Sequence, residues 1–215
     1  IFYLLLALIA PFSLMYVPSK LFAGDDLSAL AMNIANNQFL FRLGIAGETL
    51  IFLIEIVVVV LLYRLFESVN KSLSLIAAGS QGINLFFYLF VLELVNHPNY
   101  AETFGSDQTN TFISFLIQGH TLGVYIWQIF FGFHLILLGY LAAKSGYLPK
   151  LIGVLLMIAS LGYLVDSYGN ILFPASPAAA NIASILLVFS TAGELVFTFW
   201  LLIKGLTPQK NEPVE

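Results

Sequence analysis

Between Gln108 and Ala143 the chain carries no Asp, Glu, Lys or Arg. An uncharged, largely apolar run of this length exceeds the ~20 residues that cross a bilayer core as a helix. It predicts one long membrane span, tilted or interrupted, that holds Gln118, His120, Gln128 and His134. A short basic turn follows from Lys144 to Lys150, where Gly146 is placed to stop a helix and Pro149 to open the next. Another apolar run then begins. Only 9% of the 215 residues are charged and 60% are hydrophobic, whereas about a quarter of a soluble domain is charged. With a mean hydropathy of +0.94, the chain has too little polar surface to face water on all sides. Its solvent is lipid.

Taken in order, Ile1 to Val17 is apolar apart from Ser13 and is broken by Pro11. We read it as a retained first span; a cleaved signal peptide is the alternative. Since the chain starts at Ile, further residues are expected upstream of it. In the polar break Pro18 to Gln38, Leu27, Leu30, Ala31 and Ile34 recur at helical spacing behind Asp25 and Asp26. That pattern predicts a short amphipathic helix at 26–37, lying on the membrane surface or packed on the bundle. A second span, Phe39 to Tyr63, ends in the charged turn Arg64 to Lys71. The third span covers Ser72 to Val95, and the fourth, Asn110 to Ala142, has Ser106 or Asp107 as its cap. The fifth runs from Leu151 to Phe173 and the sixth from Ala180 to Lys204, with a polar tail at 205–215. The expected fold is all-α: a polytopic membrane protein whose single domain, 1–215, is a bundle of six transmembrane helices.

Arg64, Lys71, Lys144, Lys150, Lys204 and Lys210 flank the spans on one side. By the positive-inside rule that side is cytoplasmic, which puts both termini of a six-span chain in the cytoplasm of a bacterial inner-membrane protein. No basic stripe points to nucleic acid. With no cysteine, disulfides and thiolate metal sites are excluded. The acidic positions of the two halves do not match, so no inverted repeat is expected.

The segment QIFFGFHLILLGYLAAKSGYLPKLIGVLLMIASLGYLVDS (128–167) resembles the signature region of the bacterial membrane proteins grouped as domain-of-unknown-function family 4386. The stretch 41–77 is similar to the same family's second and third spans. The resemblance implies a six-span inner-membrane protein and carries no activity with it. His134 stands where that pattern has an apolar or aromatic residue.

A charged group inside a span costs roughly 2.5–3.5 kcal/mol on insertion scales, so such groups face the bundle interior, paired or functional. Arg42, Glu48, Glu55, Asp166 and Glu194 are those groups here. Starting each span at its outer end, a rise of about 1.5 Å per residue puts Glu48, His120 and Asp166 about 10–14 Å deep. Asn170 lies one turn above Asp166, and Arg42 enters near the rim. These five residues predict a polar cavity open to the outside. Glu55, Glu194, Gln128 and His134 are secondary polar positions, with Glu55 and Glu194 deeper. The alternative is that all of them fasten helices to one another. Between His120 and His134, fourteen residues apart, a haem would need a second pair of histidines that this chain lacks, so no cofactor is expected. His120, Asp166 and Glu48 are a weak zinc set without HxxxH or HExxH, and no metal is expected either. No GxSxG elbow supports a hydrolase.

The leading expectation is a non-catalytic membrane protein that binds a small amphiphile, lipid or ion in this outward-facing cavity. An accessory subunit of a larger membrane complex is the alternative, and an intramembrane hydrolase or transferase the second. Expected partners are membrane lipids, a complex partner or a second copy.

Overall fold

The computed structural model describes residues 1–22, 27–76, 85–97, 99–174 and 176–205. Among them every regular element is helical: α1 (Phe2–Ala10), α2 (Val17–Leu21), α3 (Leu27–Asn36), α4 (Gln38–Ile76), α5 (Leu85–Asn96), α6 (Asn99–Phe104), α7 (Ser106–Lys144), α8 (Lys150–Leu172) and α9 (Pro177–Gly205). A π-helical turn, Pro11–Tyr16, joins α1 to α2. Among the described residues, five segments are long and apolar enough to cross a membrane: Phe2–Leu21, Gln38–Ser72, Ser106–Lys144, Lys150–Leu172 and Pro177–Lys204. The third expected span, 72–95, falls partly on residues 77–84, outside the described ones. The described residues therefore show five spans, and the third expected one is not among them. Asp25, Asp26 and the tail 206–215 also lie outside the described residues.

Three local expectations need correction. Pro11 does not break the first span. Its ring removes one backbone donor and crowds the preceding turn, and the wider π turn accommodates it, with Val17 N–H donating to the Phe12 carbonyl five residues back. The expected turn at Arg64 to Lys71 is helical up to Val69. Leu62, Phe66 and Val69 carry the apolar face of α4 onward into the core, while Arg64 pairs with Glu67 at 3.4 Å on the outside. Only Asn70, with extended backbone (φ −162°, ψ 104°), interrupts the helix. The cap of α7 is Gly105, not Ser106 or Asp107. Its φ of 84° is a conformation glycine adopts without penalty. The helix expected at 26–37 is α3, and of its two expected placements the packed one is found, with Leu30 and Ile34 against Val91 and Ile113.

Two apolar cores hold the bundle. One gathers Val17, Leu21, Ile34, Phe41, Ile45 and Ile117 around α3. The other gathers Ile54, Val58, Phe66, Leu135, Leu156 and Phe197 toward the opposite end. Along α4 the first core ends at Ile45 and the second starts at Ile54; along α7 the corresponding limits are Ile117 and Leu135. Glu48 and His120 sit in the interval.

α8 packs between α7 and α9, and glycine sets its approach to each. A Cβ on Gly153 would collide with the Gly139 carbonyl and the Ala143 amide, and one on Gly162 with Ser190 and the Leu186 backbone. Here backbone meets backbone, as small residues allow in membranes. Outward, Leu53 and Val60 on α4, Leu122, Ile126 and Phe130 on α7 and Ile185, Val188 and Phe189 on α9 are exposed. These are faces for lipid chains.

Candidate functional site

α4 carries two carboxylates seven residues apart, Glu48 and Glu55. Two helical turns separate them, so they share a face about 10 Å apart along the axis. Both are buried, at 7% and 8% exposure.

In the Glu48 layer, His120 Nε2 lies 2.8 Å from Glu48 Oε2, joining α7 to α4. With the proton on Nε2, the ring donates a charge-assisted hydrogen bond to the carboxylate. Glu48 Oε1 is also buried and has no hydrogen-bond partner among the described residues. The same is true of Ser13 Oγ, which rests on Gly47, the residue before Glu48. Any Cβ at position 47 would overlap that hydroxyl. Ser13 belongs to the π-helical turn, a feature that recurs where helices are bent around functional sites. Leaving a buried polar group unsatisfied costs about 1–3 kcal/mol. One layer thus holds a free acceptor on a carboxylate and an unused hydroxyl.

The deeper layer is built from four helices. Tyr163 on α8 donates its hydroxyl to Glu194 Oε1 on α9 at 2.7 Å. Glu55 is within electrostatic reach of Glu194, and Tyr3 on α1 within reach of both. Glu55 Oε2 is buried without a hydrogen-bond partner among the described residues. Aromatic rings wall this layer. Tyr3 meets Phe197 edge-on at 5.7 Å, Tyr163 meets Phe131 edge-on at 5.0 Å, and Trp127 stacks on Phe131 at 5.1 Å. His134 stacks on the same Phe131 at 5.8 Å.

Asp166 forms a third group. Asn170 Nδ2 donates to the Asp166 carbonyl at 2.8 Å and to Oδ1 at 3.1 Å. Gln128 bonds the Asp166 carboxylate, while its Oε1 accepts from Ser167 at 2.8 Å. The result fastens α7 to α8. Arg42, exposed at the rim, donates to Asn96 Oδ1 at 3.0 Å and so ties α4 to α5.

Of the five residues expected to line one cavity, the structure thus joins Glu48 to His120 and Asp166 to Asn170, and gives Arg42 to Asn96. Of the secondary positions, Glu55 and Glu194 share the deeper layer, Gln128 belongs to Asp166, and His134 to the aromatic wall. Sequence reasoning did not select Ser13, Tyr3, Tyr163 or Ser167 as site residues. Ser13 had a signal, being the lone polar side chain of its span; the tyrosines had none, because a phenol is equally at home against lipid. Among the described residues, no three His, Asp or Glu side chains come close enough to hold a metal.

The family model described as "Domain of unknown function (DUF4386)" matches residues 1–205. An uncharacterized protein of Archaeoglobus fulgidus is 34% identical over 161 residues, covering 75% of this chain and 83% of its own. No solved structure matches the chain.

Proposed function

We propose that this chain, which belongs to the DUF4386 family, is a membrane-embedded binding protein whose ligand contributes a cation or a hydrogen-bond donor to the Glu48 layer. A small ion or the polar head of a small amphiphile or lipid has that chemistry. One observation carries the reading: Glu48 uses one carboxylate oxygen on His120 and keeps the other buried and unpartnered, with the unpartnered Ser13 hydroxyl against the adjoining Gly47. In a hydrocarbon environment each such group costs several kcal/mol unless something satisfies it. Asp166, Asn170, Gln128 and Arg42 are bonded to one another or to Asn96, so they serve as fasteners that hold α4, α5, α7 and α8 in register around the site. Glu55 and Glu194 extend the site inward.

Along α4 the Glu48 layer lies nearer the end of the bundle that carries α3 and α6. Glu48 is ten residues into α4, about 15 Å from that end. Arg64, Lys71, Lys144, Lys150 and Lys204 gather at the other end, which supports an inner (cytoplasmic) membrane location with that end inside. A carrier for the ligand and a receptor for it share this geometry.

The test is native mass spectrometry of the full chain released from mild detergent, beside Glu48→Gln and Ser13→Ala. Wild type is expected to retain a small adduct that Glu48→Gln loses and Ser13→Ala weakens. Equal adducts on all three proteins, each folded by circular dichroism, would remove the Glu48 layer as the site.

A further inference from the structure

At the basic end of the bundle, far along α4 from Glu48, a cleft of ≈ 480 Å³ lies between the Ser68–Asn70 stretch of α4 and the α7–α8 turn. Ser68 and Asn70 line one side; Tyr140, Lys144, Ser145 and Tyr147 line the other. The break at Asn70 lies in its wall, where the one extended residue kinks α4 before the helix resumes.

Hydrogen-bond donors dominate the lining. Lys144 makes no ion pair among the described residues, so its three N–H groups are directed by no carboxylate. Ser68 Oγ and Tyr147 OH are 2.8 Å apart and share one hydrogen bond. Whichever donates, the other hydroxyl keeps its own proton for a further acceptor. Tyr140 adds another hydroxyl. Ser145 is committed to the turn: it donates to the Ala142 carbonyl at 2.8 Å and accepts from the Tyr147 and Leu148 amides. Those bonds hold Tyr147 beside Lys144. None of the residues lining the cleft is acidic. The nearest carboxylate along α4, Glu67, is occupied by Arg64 at 3.4 Å, and Lys71 and Lys150 follow close in sequence on either side.

We propose that this cleft binds a phosphate-bearing anion, with Lys144 as its point charge and the Ser68, Tyr140 and Tyr147 hydroxyls as donors to the phosphate oxygens. A lysine is a spherical charge that suits phosphate without demanding bidentate geometry. Two sources offer this chemistry: the head group of an anionic lipid, and a soluble phosphate. Exposed tyrosines at a span end belong to the depth where head groups lie.

The experiment compares the full chain in mild detergent with Lys144→Gln, Lys144→Arg and Lys20→Gln, the last carrying its change at the other end of the bundle. Each is titrated by native mass spectrometry with phosphatidylglycerol and, separately, phosphatidylcholine of the same acyl chains. Thermal melting is followed in inorganic phosphate and in chloride at matched ionic strength. Phosphatidylglycerol is expected to be retained over phosphatidylcholine, and Lys144→Gln to lower that retention about fivefold, the weight of one basic residue on anionic lipid. Lys144→Arg and Lys20→Gln should keep it. Stabilisation by inorganic phosphate that Lys144→Gln abolishes, without lipid preference, would support the same site with a soluble ligand. Equal retention of the two lipids together with no phosphate stabilisation overturns the proposal. So does an equal loss in Lys144→Gln and Lys20→Gln, which would mean diffuse attraction rather than a site.

Discussion

Removing the Glu48–His120 pair one partner at a time gives the sharpest energetic test of the polar layer. The two side chains are 6% and 4% exposed and 2.8 Å apart, so truncating either removes a bond that water is not there to replace. Each single change, Glu48→Ala or His120→Ala, should cost about 2–3 kcal/mol, the loss of a buried, charge-assisted bond. Interhelical polar pairs in a membrane average only about 0.6 kcal/mol in double-mutant cycles and reach about 1.7. Short and deeply buried, this pair belongs near the top of that range, at about 1.5 kcal/mol. The double variant should therefore be about 1.5 kcal/mol less damaging than the two single losses added together. Glu48→Gln keeps an acceptor for the ring and should cost less than Glu48→Ala. Reversible unfolding in mixed sodium dodecyl sulfate and mild-detergent micelles, followed by circular dichroism, supplies the four free energies. Additivity within about 0.3–0.5 kcal/mol, the scatter of independent sites, would show that the contact couples nothing and refute this account of the layer.

Gly153→Ala forces a methyl into the Gly139 carbonyl and the Ala143 amide, and such overpacking costs about 1–3 kcal/mol; a thermal melt equal to wild type would mean the helices part easily there. Gly146→Ala meets open space but must hold φ near 75°, so the same assay should show a loss of about 1–2 kcal/mol from strain alone. Gly169→Ala, with only an ordinary contact to Ala179, should melt like wild type. For topology, a reporter fused after Glu215 should be active only in its cytoplasmic form and one inserted near Asn99 only in its periplasmic form; the reverse pattern inverts the orientation.

Hydropathy made the membrane character and the principal spans legible, since a run such as 108–143 has few other ways to exist. The α7–α8 turn was legible too, because Gly146 and Pro149 act locally. The 64–71 segment misled. Its charges read as a turn, while Leu62, Phe66 and Val69 kept a helical face that only tertiary packing rewards. The site was half legible for a related reason. Spacing put Glu48 and Glu55 on one face, and depth put Glu48 and His120 in one layer. Depth alone does not say which neighbour a side chain meets, so Asp166 and Arg42 were grouped with residues they do not bond. Ser13 was visible as an oddity and became meaningful only once the π turn placed it on Gly47.

That turn also sets a phase. A π-helical turn amounts to one residue more than an α-helix would use over the same rise, and each α-helical residue rotates the chain by about 100°. Tyr3, on the far side of it, reaches Glu55 and Glu194, while Ser13 and Val17 sit against Gly47 and Gly44 of α4. Deleting a single residue between Pro11 and Tyr16 would remove the extra residue and leave a regular helix with both flanks in their present phase, whereas deleting one residue of α1 after Tyr3 would keep the turn and break that phase. In that second case the residues before the deletion would swing by about 100°, carrying Tyr3 off Phe197. Hydropathy would scarcely register the loss. For this first span, then, tolerance to insertion and deletion is governed by angular phase rather than by length or greasiness, and a cysteine crosslink between positions 3 and 197 would report it.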